Sequence, residues 1–316
     1  MPGMINQVSS RNLVSKRLTI DNYLLSNQAL WDEWAAINAG SQMYDLAGFK
    51  AGRCSLKALE IVEVGDVQGK SLLHLQCHFG MDSLSWARRG AQVTGVDFSQ
   101  RAVRLAQSLS AELGLPARFI CSDLYALPEQ LDEQFDVVFT SYGVLTWLPD
   151  HRRWVQIAAR YVKPGGIFYI AEFHPFAMVF SDAAQTPVVE YPYFDEGAIA
   201  CEVRGSYADQ TAKTQSKVSY EWSYPLGEVV SELIAAGLRV QFLHEWPFAC
   251  YPMFPFLVEG ADGLWRLPPG MKSLPLQFSL RLNMLRNPCG KGPARGCRAG
   301  GCGKARPGRS RPVSGR

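Results

Sequence analysis

Four segments of this 316-residue chain place polar or small residues directly after short apolar runs. They are Gln76-Cys77-His78-Phe79-Gly80, Asp97-Phe98-Ser99, Ser122-Asp123-Leu124 and Ser141-Tyr142-Gly143. If the runs are strands of an open α/β sheet, these segments lie beyond the strands' carboxyl ends, where such sheets bind ligands. Asp97 lies 21 residues beyond Gln76. An acid at that offset can accept hydrogen bonds from both hydroxyls of a ribose. Phe98 is then positioned to pack on the attached base, and Asp123 to accept from an exocyclic amino group. Gly80 lets the backbone pass close to a ligand, and the following helix N-terminus offers free N–H groups to an anion. One acid after a strand is often only the N-cap of the next helix. Two acids and a glycine turn at three consecutive strand ends, with an aromatic beside the first acid, are harder to explain by capping. Gln76, Cys77, His78, Leu124, Ser141 and Tyr142 join this set by position.

The elements that must hold these residues follow from the apolar pattern. From Gly69, short apolar runs alternate with amphipathic helices, as expected of a parallel sheet built from βαβ units. The runs are Ser71–Leu75, Gln92–Val96, Ala117–Cys121, Phe135–Thr140 and Ile167–Phe173. Helices are predicted from Met81 to Arg89, stopped by Gly90; from the N-cap Ser99 to Leu113, closed by Gly114; and from the cap Asp150 to Val162, ended by Lys163-Pro164-Gly165-Gly166. Residues 1–25 read as weakly ordered, and 26–68 as two helices that form an N-terminal lid carrying Trp34 and Tyr44. After Pro175 the alternation breaks. Residues 176–225 read as a β-rich insertion covering the sheet, with extended pieces at Ala198–Tyr207 and Ser216–Trp222. A helix Leu226–Ala236 and strands Gly237–Trp246 and Pro275–Leu282 complete the sheet, giving a main domain over 69–285.

The segments Leu73-His74-Leu75-Gln76-Cys77-His78-Phe79-Gly80 and Val96-Asp97-Phe98-Ser99, together with Asp123 and the Pro-Gly-Gly before the fifth strand, resemble class I S-adenosylmethionine-dependent methyltransferases. The usual first loop of that family reads Asp-x-Gly-x-Gly-x-Gly; here His74 replaces the acid, and Gln76 and His78 replace two glycines. The chain is similar to a branch whose loop reads Leu-Gln-Cys-His-x-Gly, and the resemblance spans roughly 50–285. It implies a Rossmann-like, seven-stranded, mostly parallel α/β sheet with an antiparallel last strand and helices on both faces. It also implies S-adenosylmethionine as cofactor and a methyl acceptor as substrate. Because the sulfonium methyl is already activated, alignment and exclusion of water are the protein's main tasks. A general base is needed only for an acceptor that must lose a proton. His174 and Glu172, in Glu172-Phe173-His174-Pro175, are the candidate bases; alternatively Pro175 forces an extended turn in which His174 bonds backbone. His74 reads as a core histidine and His151 as solvated. The insertion's aromatics form an acceptor pocket or pack on the sheet.

Composition narrows the partners. No run approaches the roughly 18 apolar residues needed to span a bilayer, and the N-terminus lacks the apolar stretch of a secretory signal, so a cytoplasmic protein is expected. Body cysteines Cys54, Cys77, Cys121, Cys201 and Cys250 are far apart, and no metal site is expected. The net charge of +3 conceals eight Lys/Arg and no acid in residues 287–316, which leave the remainder at −5. An acidic body is a poor nucleic-acid surface, so a small-molecule acceptor is expected. The Gly/Pro-rich tail 286–316 lacks the apolar content to fold and reads as disordered. A nicotinamide dehydrogenase would need Gly-x-Gly-x-x-Gly, which is absent. The competing reading is a non-catalytic, methyltransferase-like binding protein.

Overall fold

The computed structural model describes residues 19–285 and, as a two-residue strand, Asn12–Leu13. By compactness the chain divides into Met1–Arg286 and Asn287–Arg316. The second unit, and with it the expectation of a disordered tail, lies outside the described residues, as does most of the segment expected to be weakly ordered. Within that segment, however, helix α1 (Ile20–Gly40) already begins at Ile20, where the Thr19 side chain caps it by accepting from Asn22 N–H. Two short helices follow, α2 (Leu46–Lys50) and α3 (Ala58–Val64), three in place of the two expected.

Seven strands make the main sheet: β1 (Ser71–Leu75), β2 (Gln92–Asp97), β3 (Ala117–Cys121), β4 (Phe135–Ser141), β5 (Val162–Phe173), β6 (Leu238–Trp246) and β7 (Gln277–Met284), in spatial order β3-β2-β1-β4-β5-β7-β6. Only β7 runs antiparallel, to both β5 and β6. The strand order reverses between β1 and β4, so the ends of β1, β2 and β4 converge there. Side chains alternate between the faces as the period of two demands. Leu73, Leu75, Val138, Phe168 and Ile170 fill the core beneath α6 (His151–Arg160) and α7 (Leu226–Ala235). Leu72, Val137, Phe139, Tyr169 and Ala171 face the opposite side. There the helices α4 (Met81–Arg88) and α5 (Gln100–Leu113) supply Leu84, Ala102, Val103 and Ala106. Ser99 caps α5 by accepting from Ala102 N–H, and Gly114 ends it in the left-handed conformation.

The Lys163-Pro164-Gly165-Gly166 segment departs from expectation. It does not follow a helix reaching Val162, since α6 ends at Arg160. It lies inside β5, where pairing with β4 jumps from Phe135↔Val162 to Val137↔Ile167. Four residues thus bulge out of the ladder, and Lys163 Nζ is left to bond Asp136 and Ser71 at the bottom of the sheet.

The insertion contributes a small antiparallel sheet, Ile199–Glu202 with Val218–Glu221. It is stitched to α1: Asn27 donates to Tyr220 C=O at 2.7 Å and accepts from Tyr220 N–H at 2.9 Å. Glu33 receives the N–H groups of Gln215 and Ser216, and Trp34 Nε1 donates to Gly205 C=O. Helix α1 and the insertion therefore form one cover. Because Asn27 is buried, Asn27→Ala should strand two backbone groups at roughly 1–3 kcal/mol each. We expect a lower urea midpoint and faster hydrogen exchange at Tyr220; an unchanged Tyr220 exchange rate would show that the cover does not depend on this pair.

Candidate functional site

All ten residues grouped above by strand-end position, Gln76, Cys77, His78, Gly80, Asp97, Phe98, Asp123, Leu124, Ser141 and Tyr142, line one cavity of about 870 Å³ at the carboxyl ends of the strands. Asp97 ends β2 and is buried. Its Oδ2 accepts from His78 N–H at 2.8 Å and its Oδ1 from Ser99 N–H at 2.9 Å. Each carboxylate oxygen retains further acceptor capacity toward the cavity. Burial pushes the carboxyl up to about 6, against the pull of the two backbone N–H groups. Asp123 is fixed by accepting from Tyr125 N–H at 3.0 Å. Gln28 of α1 donates to Phe98 C=O at 2.6 Å, and Asp32 accepts from Ser99 Oγ at 2.6 Å and Arg101 N–H at 3.0 Å. The cover is thereby hooked directly onto the Asp97 turn.

The first loop keeps the backbone of a glycine-rich turn without most of its glycines. Gln76 has φ 56°, His78 φ 52° and Gly80 φ 81°. Left-handed backbone is costly for residues with a Cβ and gathers at functional sites. Cys77 N–H donates to Val96 C=O and Gly80 N–H to Cys77 C=O, which fixes the bend. Gln76 Nε2 donates to Val144 C=O at 3.0 Å, while its Oε1 and the Nε2 of His78 are buried without a protein partner. His78 packs its ring among Trp31, Tyr44 and Phe79, and burial pushes its pKa down to about 3, so the ring is neutral. Two orphaned buried polar atoms beside an accepting carboxylate fit a polar organic ligand in this bend.

The two candidate bases do not reach this cavity. Glu172 is buried under the β4 loop, where its carboxylate receives the N–H groups of Gly143, Val144, Leu145 and Phe173. It shapes the backbone that carries Tyr142. His174 bonds Glu245 through Nε2 at 2.8 Å and receives Phe176 N–H on Nδ1 at 3.0 Å, so both ring nitrogens are engaged. The turn-stabilising alternative for His174 is the one the structure supports. His151, expected in solvent, is buried, with its ring on Tyr224 and Nε2 3.3 Å from Glu228. His74 is a core histidine as expected, bonded to Ser83 at 2.8 Å, although it also edges the cavity.

Trp34 and Tyr44 line the cavity, together with residues that sequence reasoning missed. Trp31, Trp147 and Tyr207 pack edge-on or tilted around Trp34 and His78, and the Tyr44 and Tyr207 hydroxyls meet at 2.5 Å. Lys57 and Asp82 also line the cavity. The spacing of Trp31 and Trp34 on one helical face was the available signal for the first; Lys57 and Asp82 had none. Among the described residues no cluster suits a metal ion and no helix is long and apolar enough to cross a membrane.

Residues 73–170 match the family described as Methyltransferase domain. This segment holds the first loop and the ends of the first four strands. Two curated relatives are Ubiquinone biosynthesis O-methyltransferases. That of Chromobacterium violaceum is 36% identical over 32% of this chain and 43% of its own length. That of Pseudomonas putida is 37% identical over 34% and 45%. The chain thus spans less than half the length of these relatives. Among solved structures, an S-adenosylmethionine-dependent methyltransferase from Clostridium acetobutylicum superposes on 81% of this chain and 99% of its own, with a TM-score of 0.50 at 13% identity. That likeness speaks for the Rossmann-like methyltransferase fold.

Proposed function

We propose that this chain is an S-adenosylmethionine-dependent methyltransferase acting on a small-molecule acceptor. The observation that carries the reading is Asp97: a buried carboxylate at the end of β2, held by two backbone N–H groups and facing the same cavity as the strained first loop. In this reading Asp97 accepts from the two ribose hydroxyls, Phe98 packs on the adenine, and Asp123 accepts from its amino group. Gln76, Cys77, His78 and Gly80 enclose the amino-acid arm, with Leu124, Ser141 and Tyr142 along the remaining wall. When bound, the cofactor supplies an activated methyl group on a sulfonium. The protein's part is to seat an acceptor in line with it and keep water out, which can account for a large share of the acceleration. The cover of α1 and the insertion, closed over the cavity by Trp31, Trp34, Tyr44 and Tyr207, suits that task. The acidic body and the aromatic, enclosed site favour a small acceptor, and the relatives' O-methyltransferase names agree with one.

Titration calorimetry with S-adenosylhomocysteine as a function of pH tests this. Ribose hydroxyls donate to the ionised carboxylate, so protonation of Asp97 competes with binding. Burial pushes the Asp97 carboxyl up to about 6. Affinity should therefore be level above about pH 7 and fall roughly tenfold per pH unit below 6. Binding that is flat from pH 8 to 5 would remove Asp97 from the contact. A folded protein that binds no S-adenosylhomocysteine at millimolar concentration would end the cofactor reading.

A further inference from the structure

Away from Asp97 the cavity is walled by a different kind of residue. In the strand order, the end of β5 lies three strands from the end of β2, roughly 14 Å along the sheet. There Phe173, the last residue of β5, and Tyr142, just past β4, line the cavity with Tyr251 from the segment after β6. Their ring centroids are 5.3 Å apart for Tyr142 and Tyr251, 6.1 Å for Tyr142 and Phe173, and 6.2 Å for Phe173 and Tyr251. These are contact distances for tilted and edge-on rings. The three form one continuous surface, with no room for an ion between them. Tyr142 also donates its hydroxyl to the buried Cys250 Sγ at 3.6 Å, and Lys57 Nζ already lies 4.7 Å from the Tyr251 centroid. Met178, Met253 and Leu257 add apolar lining. From Trp246 to Val258 the chain carries no charged residue. That stretch is fastened to the fold: Ala249 and Trp265 exchange both backbone hydrogen bonds at 2.8 Å, and buried Phe254 stacks on Phe256 at 4.9 Å.

In the cofactor reading, the adenosine and the amino-acid arm take the ends of β1, β2 and β3. The aromatic wall is then left for the acceptor. A charged group pressed onto such a surface loses its hydration and gains no hydrogen bond in return. An apolar body gains with every CH₂ it buries there. An ammonium would, in addition, meet the ammonium of Lys57 at the Tyr251 ring.

We infer that the methyl acceptor is an uncharged, lipophilic molecule whose apolar body lies on Tyr142, Phe173 and Tyr251 and against Met178, Met253 and Leu257. The inference rests on the methyltransferase reading above and deepens it by naming the acceptor's chemical class.

Calorimetry on the S-adenosylhomocysteine-saturated protein tests this with 4-ethylphenol, 4-propylphenol and 4-butylphenol as probes. Tyramine and 4-hydroxyphenylacetate match 4-propylphenol in size but carry a charge. Affinity should rise about two- to fourfold with each added CH₂, and 4-propylphenol should bind about tenfold or more tighter than either charged analogue. Met178→Glu and Met253→Glu, at half-buried positions, each set a charge on the wall. Both should lose about tenfold or more in 4-butylphenol affinity. Both should keep S-adenosylhomocysteine affinity within about twofold, which also shows that they fold. Absence of alkylphenol binding, an affinity that ignores chain length, or binding that neither variant weakens overturns the inference. So does tighter binding of tyramine, which would give the acceptor a cationic group for Asp182 and Glu221 on the same cavity. Tighter binding of 4-hydroxyphenylacetate, drawn by Lys57, overturns it as well. A folded wild type that binds no S-adenosylhomocysteine fails the cofactor reading itself, which is a separate result.

Discussion

Asp97→Ala is expected to weaken S-adenosylhomocysteine binding at least a hundredfold, with little change in thermal stability. The magnitude follows from two hydrogen bonds to a carboxylate, worth roughly 1.5–3 kcal/mol each, where every 1.4 kcal/mol is about tenfold. The stability expectation follows from the surroundings. Asp97 and His78 line the cavity, so on truncation water can enter from it and take the place of the lost oxygens at the His78 and Ser99 N–H groups. Asp97→Asn provides the graded control. It preserves shape, but its amide nitrogen must face one of those two N–H donors, leaving one accepting oxygen. An intermediate loss of about tenfold or more is expected. Calorimetry measures both, and circular dichroism checks the fold. A Kd for Asp97→Ala within threefold of wild type would mean that the ribose is not held here.

The constellation around Asp97 was legible because the signals are local. An apolar run of strand length ends, a polar residue follows, and the sheet's topology brings all such ends to one edge. Ser99, Gly114 and Asp150 announced their helix boundaries by residue type alone, and the structure finds each in its expected capping role. What failed was inference from proximity. Glu172 and His174 lie at the end of β5, as close in topology to the cavity as Ser141 is at the end of β4. Yet β7 pairs antiparallel beside that end, with His174 N–H on Leu276 C=O. The chain turns toward Glu245 while Glu172 is consumed by the β4 loop. Strand adjacency does not fix which way a side chain faces, and a buried carboxylate takes the nearest backbone donors. The Lys163–Gly166 bulge was hidden for a related reason: Pro-Gly-Gly reads as a helix stop whether it precedes a strand or interrupts one. The cover was only half visible. Its Trp34 and Tyr44 were named, but the contacts that close it, such as Asn27 with Tyr220, join residues nearly two hundred positions apart.

Gly80→Ala is expected to destabilise the protein by about 2–5 kcal/mol. Two independent costs make up this figure, roughly 1–2 kcal/mol for an L-residue in the left-handed region and roughly 1–3 kcal/mol for overpacking. At φ 81°, a Cβ would stand 2.8 Å from Ala106 Cβ and 2.9 Å from Phe119 Cε1 and Cζ. Neither neighbour is a flexible tip: Ala106 is buried in α5 and Phe119 in the same core cluster. Relief therefore requires α5 or β3 to move. Gln76 and His78 share the left-handed backbone but carry side chains, because theirs project along the cavity rather than into that core. The loop can thus dispense with two glycines but not this one. Urea unfolding of Gly80→Ala should show a lower midpoint at unchanged m. Adding Phe119→Leu, which trims the ring atoms in the clash, should cost less in the Gly80→Ala background than in wild type, leaving the conformational cost and the Ala106 contact unrelieved. Additive losses in the double variant would show that the close contact with Phe119 is not what requires glycine here.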